Sequence, residues 1–382
     1  MDSLYRKRDG LQTLIRTFIK KEPVLVIAAL AAAVSCFFVP PDGTYFSYLD
    51  LRTLALLYCL MTVVAGLRQA GLFEHLAQEV CERSGSLRML SILLVLLCFF
   101  TSMLITNDVA LLTFVPFAVI VLGMSGRLQH LIRVVVLQTV AANLGSMLTP
   151  VGNPQNLYLY SYYGLGMGEF LGITFPVWGL SLLLILAACF LFPKEKLEIH
   201  LGKYREIDRR ELLVHSLLFA VCLLTVLRIL PWQGMLAVLI AVLFVFDRGI
   251  LKEADFMLLL TFIAFFVFSG NLARMDSVAA LLEDLMEGRE YFTALLASQV
   301  ISNVPAALLL SGFTDRARDL ILGVDIGGLG TPIASLASLI SLKLYLHSEE
   351  AKAGRYLLEF TAVNVLLLAV LSGMFILSLK GY

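Results

Sequence analysis

The sequence predicts an all-α polytopic membrane protein: an inverted repeat with two re-entrant helical hairpins and two broken transmembrane helices. Three observations predict it. Of 382 residues, 59% are hydrophobic and 15% charged, with mean hydropathy +0.87, whereas soluble domains carry roughly a quarter charged residues. Apolar runs near the ~20-residue spanning length follow one another along the chain. Polar interruptions rich in Asn, Asp, Gly and Thr-Pro recur in one order in both halves. Formal charge is +0, which gives no case for a nucleic-acid partner. The expected surroundings are a lipid membrane.

Residues 1–22 carry Arg6, Lys7, Arg8, Arg16, Lys20 and Lys21 and read as a basic cytoplasmic N-terminus. Within them, 11–20 suits a short amphipathic helix on the membrane surface. So long a basic stretch fits an uncleaved first span better than a removed signal. Clear spans are 23–39, 51–67, 170–192, 212–230, 233–248, 255–271 and 356–379. The first repeat, 23–192, contains a hairpin at 89–122 and a broken helix at 131–163. A basic cytoplasmic linker, 193–211, leads to the second repeat, 212–379, with a hairpin at 291–312 and a broken helix at 317–347. The run 291–312 is too short to cross twice.

Each half shows the same succession: a span ending at Gly66 or Gly270, an amphipathic stretch (70–84 or 273–288), an Asn-bearing tip, then a Gly-rich break with Thr-Pro. With the N-terminus inside, 22 of the 29 Lys and Arg fall on segments assigned to the cytoplasm, the bias that orients membrane proteins. The two hairpins then enter from opposite sides, a common design of secondary transporters.

The breaks carry the chemistry. Irregular backbone at membrane depth survives only where protein or a water-filled cavity surrounds it. Asn303 near Pro305, Asn153 before Pro154 and Thr331 before Pro332 suit the first turn of a restarting helix. Such restarts aim free N–H groups at an anion, and the preceding carbonyls suit Na⁺. Candidate substrate-binding residues are Thr106, Asn107, Asp108, Ser302, Asn303, Thr149, Asn153 and Thr331. Candidate cation-coupling residues are Asp108, Asn107, Asn143, Gly145, Gly152, Asp325, Asn303, Gly328, Thr331 and Ser335, with Na⁺ the one metal they suit. The alternative for each Asn or Thr is a hydrogen bond between helices; recurrence in both halves favours a site. An intramembrane acid such as Asp108 or Asp325 is a cation ligand or proton carrier by default, its alternative a helix cap.

Six cysteines lie singly with no C-x-x-C pair, so zinc and iron–sulfur sites lack ligands at the needed spacing. No H-E-x-x-H or G-x-S-x-G signature occurs, so an enzyme is not expected, nor a cofactor other than a coupling Na⁺. An ion channel needs a continuous lining, whereas one site per inverted repeat predicts alternating access.

The phrases ITNDVALLTFVP, NLGSMLTPVGNPQNL, ISNVPAALLL and LGVDIGGLGTPIASLASL resemble the ion transporter superfamily of arsenite permeases, NhaD-type antiporters and citrate or dicarboxylate carriers. They look most like the arsenite permease and NhaD branch. The resemblance covers nearly the whole chain from about residue 23. It implies a scaffold plus a mobile unit of hairpins and broken helices, an elevator-like shift and a homodimer. Tips in that superfamily often read Ser-Asn-Thr and contact a carboxylate and Na⁺. Here they read Thr106-Asn107-Asp108 and Ser302-Asn303-Val304. The acid repels a dicarboxylate unless protonated, and Val304 supplies no hydroxyl. The departure favours a proton-linked substrate, a small oxyanion or cation exchange. The expectation is secondary active transport of a small anionic solute with Na⁺ or H⁺, in the plasma (inner) membrane. Na⁺/H⁺ antiport and arsenite-type oxyanion efflux are the alternatives.

Overall fold

The computed structural model describes residues 22–197, 206–348 and 351–379. The reading of 1–21, with its surface helix, and the middle of the linker lie outside them. Eighteen α-helices and no strand occur among the described residues. Among the described residues six helices are long and apolar enough to cross a membrane.

The first half comprises α1 (Pro23–Phe38), the single turn α2 (Tyr45–Tyr48), α3 (Leu51–Gln69), α4 (Leu72–Glu82), α5 (Leu87–Ile105), α6 (Asn107–Met124), α7 (Leu131–Ser146), α8 (Pro154–Tyr162) and α9 (Met167–Cys189). After the linker come α10 (Arg209–Val226), α11 (Trp232–Phe246), α12 (Phe256–Ala273), α13 (Asp276–Met286), α14 (Glu290–Ile301), α15 (Asn303–Leu310), α16 (Ala317–Gly327), α17 (Leu336–Leu346) and α18 (Ala353–Leu379). Acidic caps begin several of them. Asp50, Asp208 and Asp255 accept from the free N–H groups of α3, α10 and α12, the orphan donors of a helix start.

Set side by side in chain order, α3–α9 and α12–α18 show corresponding contacts. The first hairpin arm lies on the broken helix behind it, α5 on α7 and α14 on α16. Each second arm packs across the halves, α6 on α17 and α15 on α8. The broken helices cross in the same reciprocal way, α7 on α17 and α16 on α8.

Two glycines make the arm-to-helix contact close. A Cβ on Gly145 would stand 2.1 Å from the Phe99 carbonyl oxygen and 2.8 Å from Ser102 Oγ. A Cβ on Gly327 would stand 2.9 Å from Ser298 Oγ and 3.0 Å from Leu295 Cα. Leu295 and Ser298 hold in α14 the places that Phe99 and Ser102 hold in α5.

The halves differ in arm length. α5 and α6 run 19 and 18 residues, α14 and α15 only 12 and 8. At 1.5 Å per residue the first pair reach about 27–28 Å, nearly the ~30 Å hydrocarbon depth.

A tripartite hairpin-tip, break and cavity site

The tips share one backbone conformation. Thr106 has φ 72° and ψ 150°, Ser302 φ 73° and ψ 155°. Non-glycine residues avoid this region at a cost of about 1–3 kcal/mol, and such strain gathers where surrounding structure enforces it. At each tip the Asn side chain turns back, so that Asn107 Oδ1 accepts from Asp108 N and Asn303 Oδ1 from Val304 N, both at 3.0 Å. The amide donors of both Asn residues are thereby left for other partners.

The breaks align residue for residue: Asn143 with Asp325, Gly145 with Gly327, Thr149-Pro150 with Thr331-Pro332, Asn153 with Ser335, and Asn156 with Ser338. Asn107 Nδ2 donates to Asn143 Oδ1 at 2.9 Å, and Ser335 Oγ donates to the same oxygen at 3.1 Å. Asn143 Nδ2 reaches Ser338 Oγ at 3.3 Å. One buried amide thus ties the first tip to the second break. The reciprocal place is Asp325, faced by Asn153, Gln155 and Asn156, with Gln155 Nε2 at 3.4 Å from Oδ1. Asp325 Oδ2 and Asn156 Oδ1 are buried without a hydrogen-bond partner. A buried acceptor left so is costly unless a proton or cation reaches it.

Asn153 caps α8, accepting from Asn156 N at 2.9 Å with Pro154 in the first turn, as the sequence anticipates. Thr331 does not start a helix: α17 begins at Leu336, after Ser335. Thr331 instead spends its N–H and hydroxyl on Gln299, at 2.9 and 3.2 Å, and the chain turns at Gly330, with φ +103°. Thr149 likewise donates to the Met103 carbonyl. Asn303 is held by its backbone, N–H to Ala334 O at 2.9 Å, and Ser302 Oγ donates to the same carbonyl at 3.3 Å. Among the described residues no equivalent backbone bond holds Asn107. Gly328 and Gly152 sit where a Cβ would meet Asn303 Nδ2 at 2.9 Å and Ser146 O at 2.0 Å.

A cavity of about 240 Å³ is lined by Thr106, Asp108 and Asn153 together with apolar residues that include those of α3 and α6. Arg68, Glu253 and Asp255 also line it. With Asp108, three carboxyls and one guanidinium line it. The second tip lies outside this lining. Gln155, Ser338 and Gln299 escape the sequence reading: Gln155 and Ser338 stand within the quoted motifs, while Gln299 acts on a loop remote along the chain.

Residues 14–315 match the citrate transporter family. An uncharacterized transporter of Methanocaldococcus jannaschii is 32% identical over 330 residues, covering 85% of this chain and 89% of that one. The Escherichia coli inner membrane protein YbiR is 30% identical, covering 81% and 84%. A silicon efflux transporter of rice is 35% identical over 134 residues, 35% of this chain and 27% of its own.

Proposed function

The chain belongs to the citrate transporter family, and from that premise we propose a secondary active transporter moving a small anionic solute with Na⁺ or H⁺. Transport rather than catalysis is the family's business. In this reading α3–α9 and α12–α18 form an inverted repeat whose hairpins enter from opposite sides, with the N-terminus in the cytoplasm of the plasma (inner) membrane. The burial of Asn107 against Asn143 supports a tip inside the protein, despite the length of its arms. Arg127 pairs with Glu195 at 2.8 Å, joining two segments assigned to the same side. Hairpins and broken helices move as a unit against the other spans, elevator-fashion, within a homodimer.

One observation carries the proposal: Asn107, Asn143, Ser335 and Ser338 form a buried chain across both halves, next to a cavity lined by Thr106 and Asp108 of the first tip. Asn107 and Asn303 offer amides to the solute, and Thr106, Ser302 and Asn153 its nearest hydroxyls and cap. The break residues, with Gly145, Gly152, Gly328, Thr149, Thr331 and Ser335, supply backbone and hydroxyl ligands, while Asp108 and Asp325 carry the coupling cation or proton. In reconstituted vesicles, Asn107→Ala and Asn303→Ala are expected to lose at least tenfold in uptake. Normal transport by both variants removes the assignment.

The excess of carboxyls over guanidinium in the cavity lining, three to one, favours a second reading, Na⁺/H⁺ exchange without another solute. Vesicles loaded with a pH-sensitive dye separate the two. Na⁺ pulses that move no protons exclude exchange.

A further inference from the structure

Gln299 fills the second break. Its Nε2 lies 2.7 Å from the Gly327 carbonyl oxygen, 2.9 Å from that of Leu329 and 3.3 Å from that of Leu295. Its Oε1 accepts from Thr331 N at 2.9 Å. An amide nitrogen carries two protons, yet three carbonyl oxygens converge on it. Converging backbone carbonyls are the donor set of a hard cation. The loop is wound tightly around the amide: at Gly330, with φ +103°, a Cβ would stand 2.3 Å from Gln299 Oε1.

The first half keeps the frame without this occupant. Met103 holds the place of Gln299 in α5, and its carbonyl accepts from Thr149 as that of Gln299 accepts from Thr331. Its thioether donates nothing. Leu148 stands where Gly330 turns. The Met147 carbonyl, matching Leu329, is served instead by Asn156 Nδ2 at 3.3 Å.

We propose that Gln299 is a built-in substitute for a monovalent cation at the second break, its amide donating to the carbonyls that would otherwise ligate Na⁺. The proposal rests on the reading of the breaks as coupling sites and narrows it: the carbonyl set of the second half takes no coupling ion. Substitution then creates a Na⁺ requirement where none exists.

The test is thermal unfolding of the purified full chain in Na⁺, Li⁺ or K⁺ against choline at constant ionic strength. Gln299→Ala is expected to melt lower in choline. It should then gain a few degrees for each tenfold rise in Na⁺, beyond any response of the wild type. Gln299→Glu, which sets a carboxylate against the same carbonyls, should show the same added dependence. Should Gln299→Ala not fold, Gln299→Glu decides alone. Variants that follow the wild-type Na⁺ titration overturn the proposal. So does loss of a wild-type Na⁺ response, because Gln299 would then be a ligand. Normal uptake by the Asn107 and Asn303 variants removes those two residues from the solute site and leaves this melting difference untouched.

Discussion

The two halves share a backbone and differ in what they hang on it. Thr106 and Ser302 adopt the same strained conformation, and Gly145 and Gly327 seat the same two positions of the arm in front. Yet the acid stands at the tip in the first half, Asp108 against Val304, and at the break in the second, Asp325 against Asn143. The first tip lines a cavity, while the second is hydrogen-bonded to its break through Asn303 N–H and the Ala334 carbonyl. In the proposed carrier, matched geometry with an unequal charge pattern would allow two access states and let ions bias them.

The sharpest way to break the comparison is at the paired glycines. In Gly145→Ala the new methyl meets the carbonyl of Phe99 at 2.1 Å, and backbone cannot yield as a side chain can. A cost of about 3 kcal/mol or more is expected. Gly327→Ala meets Ser298 side-chain atoms at 2.9 Å, and about 1–2 kcal/mol suffices. Thermal unfolding in detergent should rank the first variant several degrees below the second. Equal losses would mean the arms pack alike, contrary to the distances.

Next in size is the exchange of amide and acid at the matched break position. Asn143→Leu strips partners from Asn107, Ser335 and Ser338 at once, all buried. Orphaned buried groups cost about 1–3 kcal/mol each when nothing replaces the bond, so a loss of about 2–4 kcal/mol is expected, with transport abolished. Asp325→Asn keeps size and its contact with Gln155. It should hold stability to within about 1 kcal/mol while losing ion-coupled uptake. Coupled transport that survives in Asp325→Asn removes that acid from the mechanism.

The spans are legible in the sequence because hydropathy is a local property: α3, α9, α12 and α18 fall on apolar runs that need no knowledge of the rest of the chain. Asn153 and Pro154 are legible for the same reason, since a cap and its first turn are neighbours. The partners of Asn143 are not. Ser335 lies 192 residues away, and only the reciprocal crossing of α7 and α17 brings it near. The start of α17 is misread because Thr331-Pro332 looks like a helix start. Its donors are already taken by Gln299, a residue whose role depends on a loop 28 to 32 positions ahead.

The smallest expected effect lies where the far ends of the matched spans α3 and α12 diverge. At the end of α3, Arg68 lines the cavity. At the end of α12, Arg274 is clasped to the α1–α3 connection, 2.8 Å from Asp42 Oδ2 and 2.8 and 3.0 Å from Thr44 and Tyr48 hydroxyls. The Arg274 guanidinium, helped by Thr44, holds the exposed Asp42 carboxyl down at about 2. Its unfolded value is about 3.9, so the pair contributes fully above pH ~4 and fades as pH falls through about 2. Exposed pairs are screened and weak. Asp42→Asn should therefore lower the melting temperature at neutral pH by about 1 °C, less at 0.5 M salt than at low salt. The gap should close as both proteins are taken from pH 4 toward pH 2, because the wild type then loses what the variant never had. A gap that widens on acidification would show that Asp42 works through something other than its charge. If the breaks hold the coupling ion as proposed, loss of this clasp should leave any Na⁺ response unchanged.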